Sequence, residues 1–325
     1  MHKFGKVILS RKGFDYSAGG SYSPFDPQTG KYIVLPIPVS KEESKICNLL
    51  KYEEISIKGN YLDGCPETDL KSLMETMEKE ATIKTKDGKE KSEYAHFDPW
   101  LGPCPWLAER SNHQIGAFGQ VGKPQAHLYN QEVRKGSLFL FFSRFTTIDK
   151  NGENKIVLGI SRENLNKDLY FIYGWLKVKK IIQQYEDIID DKSLQSLKSL
   201  HPHATEKYFE TYPNNTLYIA DEFLFNDGSN FPGCGYFPRL NEDLCLSASD
   251  SAQEQQGKWR PSRWSLQGFF KEKCLSVLKD KPQIRDGSWL VETNWQWQEA
   301  VFDFDESEEF CRWFDRLLES ISDNV

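Results

Sequence analysis

Apolar residues in this chain fall mainly into short runs of β-branched and aromatic side chains bounded by Gly, Pro, Asn and Asp, which is the signature of strands. The runs "KVILS" (6–10), "KYIVLPIPV" (31–39), "GSLFLFFSRFTTI" (136–148), "KIVLGIS" (155–161), "LYFIYGWLKVKKII" (169–182), "TLYIA" (216–220) and "EAVFDF" (299–304) each predict a strand. Three stretches read as helix. In the last, Asp305 can cap a helix with Glu308 three residues on, and Phe310, Trp313, Phe314, Leu317, Leu318 and Ile321 then share one 3.6-period face, which predicts plain core packing. The others cover roughly 68–81, opened by "PET", and 187–200, just before "HPH".

Polar segments separate these elements. "TIKTKDGKEKSEY" (82–94), with a turn at Asp87-Gly88, and "SASDSAQEQQGK" (247–258) read as solvated loops or hairpin tips. From 132 to 182 a polar turn feeds a dense strand, a tip at "DKNGENK", then two further strands, so an antiparallel meander with Gly-centred bends is expected. This centre resembles the barrels of the pseudouridine-synthase-and-archaeosine-transglycosylase (PUA-like) group. The expected fold is therefore α+β and β-rich, with a central antiparallel meander or PUA-like barrel, a C-terminal packed helix, and one large domain over 1–325.

Composition narrows the class. Aromatic residues make up 14% of the 325, with nine Trp and 21 Phe, enough to build a core and to argue against disorder. The N-terminal "MHKFGKVILSRKGFDYS" has only a four-residue apolar stretch before charge returns, and no run of about 18 apolar residues follows; a cytoplasmic protein without a membrane partner is expected. Seven scattered cysteines with no C-x-x-C pair indicate neither a disulfide framework nor a Cys-rich zinc site. A formal charge of −7 confines any nucleic-acid contact to a local patch.

Five polar clusters carry candidate chemistry. "SRKGFDYSAGG" sets Arg11, Lys12 and Asp15 directly after a strand, where they read either as a solvated turn or as a fork for phosphate oriented by Asp15. In "HFDPWLGPCPW" (96–106) His96 and Asp98 are two apart, so an extended backbone puts them on one side as a base pair, as metal ligands, or as a structural His beside a turn. "GAFGQVGKPQAHLYNQ" (116–131) fails both phosphate-loop patterns because its glycines are three and three apart and Lys123 precedes Pro124. If the segment is helical from Pro124, His127, Asn130 and Gln131 share a face that reads a base edge or satisfies buried backbone groups.

His201 and His203 form an H-x-H pair that, with His96 and Asp98, could complete a three-His, one-carboxylate site; no H-x-x-x-H or H-E-x-x-H helix supports it, and no metal is assigned. "GKWRPSRW" (257–264) interleaves Trp259, Arg260, Arg263 and Trp264, suited to stacking a single-stranded base or to ordinary Arg-over-Trp packing. There is no G-x-S-x-G elbow and no evident Cys/His arrangement, so standard hydrolase chemistry is not indicated.

Taken in order, "LSRKGFDYSAGGSYSPF", "HFDPWL", "FGQVGKPQAHLYNQEVRKGSLFLFFSRF", "IYGWLKV", "HPHA", "NTLYIA", "PGCGYF" and "QEAVFDF" resemble the third nucleotide-modification-associated domain family over nearly the whole chain. The positions matching its motifs are Arg11, Lys12, Asp15, His96, Asp98, Gln120, Gln125, His127, Asn130, Gln131, His201 and His203. Two departures, Gly136-Ser137 in place of Gly-Asp and Ser143-Arg144-Phe145 in place of a Gly-Trp-Phe-like end, bear on the barrel analogy more than on the site. The resemblance implies an enzyme acting on nucleic-acid bases or nucleotides in a phage or bacterial modification or defence setting, with DNA, RNA or a nucleotide as partner and no cofactor named.

The leading expectation is a base- or nucleotide-modifying transferase. Arg11 and Lys12 would hold a phosphate-bearing ligand, His96 or His127 would be the base, Asp15 and Asp98 would orient it, and Asn130 and Gln131 would read the base. Two alternatives stand beside it: a non-catalytic reader of modified bases using the barrel-like centre with the Trp/Arg segment, and an ADP-ribosyl-transferring or nucleotide-cleaving toxin.

Overall fold

The computed structural model describes residues 4–14, 19–20, 22–63, 65–77, 79–85, 88–108, 115–151, 155–158, 168–225, 230–248, 262–276, 279–285, 288–292, 298–305 and 307–322. Nine strands build the principal sheet: β1 (Lys6–Arg11), β2 (Ser23–Phe25), β3 (Ala117–Gln120), β4 (Leu138–Asn151), β5 (Lys155–Leu158), β6 (Leu169–Ile182), β7 (Thr216–Ala220), β8 (Cys234–Tyr236) and β9 (Glu299–Asp303). The main path runs β9-β1-β4-β6-β7-β3, with β2 and β5 also on β4 and β8 on β6.

The centre of the sheet follows from its sequence. Residues 138–142 and Phe145 are all buried, so β4 has no solvent face, and its near-continuous apolar run suits a strand covered on both sides. The antiparallel pairings of β4 with β5 and β6 are the meander expected between 132 and 182. The PUA-like barrel is not found. The other edge of β4 is taken by parallel pairing with β1 and β2, which opens the meander into a wider sheet whose ends, β9 and β3, do not pair. The described strands form a mixed α/β fold with several sheets and no closed barrel.

The run 31–39 behaves differently from its strand-like composition. Tyr32 makes an isolated bridge to Phe25, and only Ile37–Pro38 pairs regularly, with residues 95 and 96. Pro36 and Pro38 have no amide hydrogen to give a ladder, so the segment is buried without becoming a long strand. Tyr32 earns its burial by donating its hydroxyl to the Phe237 carbonyl at 2.6 Å.

The helices largely sit where their periodicity puts them. α1 (Leu70–Thr76) is capped by Asp69, whose carboxylate accepts from the Ser72 amide. α2 (Gly122–Asn130) follows β3. Between 187 and 200 the expected single helix divides into α3 (Glu186–Asp190) and a 3-10 stretch, Lys192–Ser199, because Asp191 leaves helical geometry and its side chain accepts from the Ser193 amide to start the second piece. The C-terminal α4 (Glu308–Ser322) packs Phe310, Trp313, Phe314, Leu317 and Leu318 into the core, as its stripe predicts. Its cap is Ser307, whose hydroxyl accepts from the Phe310 amide, in place of the expected Asp305. The segment 82–94 contains the hairpin Thr82–Thr85 with Gly88–Lys91, while Asp87 and residues 249–258 lie outside the described residues.

Candidate functional site

The short strand β3 organises the site. Ala117 exchanges both backbone hydrogen bonds with Trp100, so the chain before Trp100 starts a ladder along the edge of β3 that β7 leaves uncovered. Before Pro99 the backbone does not continue it. Asp98 does so with its side chain: Oδ1 accepts the Gly119 amide at 2.9 Å, where a backbone carbonyl would otherwise be expected.

Successive residues of a strand face opposite ways, and β3 uses both faces. Ala117 belongs to a minor apolar cluster with Ile182, Leu197, Ala204 and Leu217, whereas Phe118 enters the main core against Phe139, Phe141 and Tyr218. On the Ala117 side, Gly119 lies directly under His203. A β-carbon built on Gly119 would stand 2.2 Å from His203 Cγ, so the missing side chain is what lets the imidazole reach the edge of the strand.

His203 sits in the 3-10 turn Pro202–Ala204, which His201 caps by accepting the His203 amide at Nδ1. That leaves the His201 proton on Nε2, 3.0 Å from Asp98 Oδ1, an approach whose angle makes it an electrostatic contact more than a directed hydrogen bond. His203 Nδ1 is 2.8 Å from Asn215 Oδ1, and Asn215 Nδ2 donates to the His203 carbonyl at 2.9 Å. With Asn215 oriented by that second bond, His203 must carry its proton on Nδ1, and its Nε2 lone pair is available.

His96 completes the group. Its ring meets the His203 ring edge to face at 5.0 Å between centroids, and it is buried. One donor atom from each of His96, Asp98 and His203 lies within 4.8 Å of the others. Burial pushes the His96 imidazole down to about 4 and that of His203 well below its ordinary value, so both are neutral near pH 7. Burial alone would raise the Asp98 carboxyl, but the contact with His201 and the field of Lys12 outweigh it and hold the group below the usual carboxylate range.

A second cluster lies on the Phe118 side of β3. Gln120 Nε2 donates to Glu299 Oε1 at 2.5 Å, and Lys12 Nζ is 3.7 Å from the same oxygen and 4.4 Å from the centroid of the Phe118 ring. Just after Lys12, Gly13 at φ +92° takes the left-handed conformation that redirects the chain leaving β1. Glu299 is 2% exposed, and burial raises its carboxyl despite Lys12, Ser10 and Gln120. The Lys12 charge acts on Asp98 and His96 as well as on Glu299, so the two clusters share one field around the edge of β3.

Of the residues singled out in the sequence, His96, Asp98, His201 and His203 meet, with Lys12 and Gln120 across the strand. Gln125 is buried and accepts the Tyr218 hydroxyl at 3.0 Å, a structural bond that docks α2. The expected helix is present, but His127 Nε2 turns to Ser276 Oγ at 3.1 Å, Asn130 is exposed and Gln131 ends the helix. Arg11 is half-buried at the end of β1. Arg263 is buried in a small sheet opposite Glu292, and its neighbour Trp264 packs edge-on against Phe142 at 4.8 Å, so this part of the Trp/Arg segment is core. Asp15, Trp259 and Arg260 lie outside the described residues.

Glu299, Asn215 and Gly119 were not singled out from the sequence. The signal for Glu299 was a carboxylate at the head of an apolar strand, "EAVFDF", where a buried charge demands a partner.

A family model described as nucleotide modification associated domain 3 matches residues 6–307. No curated protein and no solved structure matches the chain. No helix among the described residues is long and apolar enough to cross a membrane.

Proposed function

Since the chain belongs to the nucleotide modification associated domain 3 family, we propose that it is an enzyme modifying a nucleic-acid base or nucleotide at the edge of β3. The observation that carries this reading is the convergence of His96, Asp98 and His203 on one point, with Asp98 and His203 each fixed from behind. Side chains held in one rotamer and one tautomer by outer contacts are what a reaction centre needs, because geometry set before the substrate arrives costs nothing at the transition state.

The roles follow from the charges. Lys12 supplies the positive potential for an anionic group brought to this edge. Glu299, buried beside Lys12 and with a raised pKa, handles the proton, since a carboxyl poised nearer neutrality transfers it in either direction. His201 and Asn215 position Asp98 and His203. Transfer of a group to the base is the reaction type that the family association and this acid–base set support best.

The test is expression of the full chain followed by mass spectrometry of nucleosides from DNA, tRNA and the nucleotide pool. A new nucleoside mass with the wild type, lost with Asp98→Asn and with Glu299→Gln, is the expected result. The same product from Asp98→Asn overturns the site, and no new mass in any pool overturns the enzyme.

A further inference from the structure

We infer that His96, Asp98 and His203 bind one divalent first-row transition ion, of the zinc or ferrous type, through two imidazole nitrogens and one carboxylate oxygen. No metal follows from the sequence pattern alone, because the H-x-H pair does not act as a pair. The structure separates its members: His203 presents a lone pair to the cluster, while His201 accepts the His203 amide at Nδ1 and sets Nε2 3.0 Å from Asp98 Oδ1.

Each ligand is prepared for this role. His203 Nδ1 is committed to Asn215, which leaves Nε2 as the coordinating atom; a second acceptor on the far nitrogen is the usual support of a metal-bound imidazole. Asp98 Oδ1 is committed to the Gly119 amide and His201, which leaves Oδ2 to coordinate. His96 is brought in by the pairing of residues 95 and 96 with their neighbouring strands.

The separations fit. Bonds of about 2.1 Å at tetrahedral angles place ligand atoms about 3.4 Å apart. The three donor atoms here lie within 4.8 Å, so closure by about an ångström or less per side chain completes the set. Two nitrogen donors and one oxygen select against Mg²⁺ and Ca²⁺, which take oxygen ligands, and three protein ligands leave a coordination position open to water or substrate. An ion also suits the charges present. Three nearly enclosed polar side chains bring two imidazoles and a carboxylate to one point, and a bound cation would be attracted by all three.

This inference takes its location from the proposed reaction centre but is tested without turnover. The full chain is stripped with chelator, and Co²⁺, Zn²⁺ and, under anaerobic conditions, Fe²⁺ are titrated by calorimetry, with the Co²⁺ form also followed by its visible absorption. One ion per chain is expected. Asp98→Asn and His96→Gln should each weaken binding by about 100-fold or more, and His127→Ala, whose imidazole faces Ser276, should leave it unchanged. If His96→Gln does not fold, Asp98→Asn decides, because its amide oxygen still accepts from Gly119. Absence of stoichiometric binding by the wild type, or wild-type affinity in both ligand variants, overturns the site. Metal binding without any nucleoside product would sink the enzymatic reading alone, and a nucleoside product from a wild-type chain that binds no ion would sink the metal alone.

Discussion

Gln120 and Glu299 lie 179 positions apart, on strands at opposite ends of the principal sheet path, yet their side chains share a 2.5 Å hydrogen bond. The sheet therefore curls until its two ends face each other, and a side-chain contact bridges a gap that backbone pairing leaves open. Gln120 also accepts the Val121 amide at 3.1 Å, so one amide serves the bridge and the start of α2.

Replacing Gln120 by Ala should therefore leave a buried carboxylate oxygen and a backbone amide without their partners. A loss of about 1–3 kcal/mol is expected, read as a lower urea midpoint with an unchanged slope. A midpoint equal to the wild type would show that the bridge contributes nothing.

Glu299 gives the bridge a pH dependence. Its folded-state pKa is raised, chiefly by burial, so the folded protein holds this proton over a range where the unfolded chain has released it. The contribution to stability is full below the unfolded value of about 4.5 and is lost as pH rises through the folded value. Glu299→Gln mimics the protonated form without titrating. The stability of the wild type relative to this variant should fall as pH rises from 4.5, and a flat difference between the two would contradict the assignment.

Gly119→Ala tests the close approach of His203. The added carbon would stand 2.2 Å from Cγ and 2.3 Å from Cδ2 of the ring, and the ring is held on its other side by Asn215 and Tyr208. Displacement of the imidazole should cost about 1–3 kcal/mol as overpacking and weaken Co²⁺ binding in the same variant. Full stability together with full binding would mean that His203 has room to move.

Trp264 distinguishes core from binding surface. It packs edge-on against Phe142 and against Tyr170 at 5.8 Å, and is 3% exposed. Trp264→Ala should cost about 3–5 kcal/mol in thermal or denaturant unfolding. Trp264→Phe should fold and retain whatever nucleic-acid affinity the wild type shows, whereas a selective loss of affinity would restore the indole as a stacking platform.

The parts of the fold that were legible in the sequence are those set by local pattern. The runs in β1, β4, β6, β7 and β9 and the stripe of α4 each bury an apolar face that their periodicity announces. The barrel was not legible as absent, because whether β4 closes on its meander or opens to β1 depends on a pairing more than 120 residues away in sequence. In the site, His96 with Asp98 and His201 with His203 were recognisable as clusters from spacing alone. Their division of labour was not. It depends on Asn215 and Gly119, whose partners are fixed only once β3, β7 and the 3-10 turn at 202–204 are stacked. His127 shows the converse: its helix was readable, but the direction of its side chain is set by Ser276, 149 residues on.

The carboxylate that completes the ladder at Gly119 also closes the sheet from within. Every residue of β3 is buried, so the Gly119 amide would stand enclosed and without a partner if Asp98 did not accept from it. A substitution that removes this carboxylate, such as Asp98→Ala, thus strips a ligand from the site and at the same step leaves a buried hydrogen-bond donor unsatisfied. The residue that shapes the chemistry also completes the backbone of the strand beneath it, so loss of activity and loss of stability should arise together.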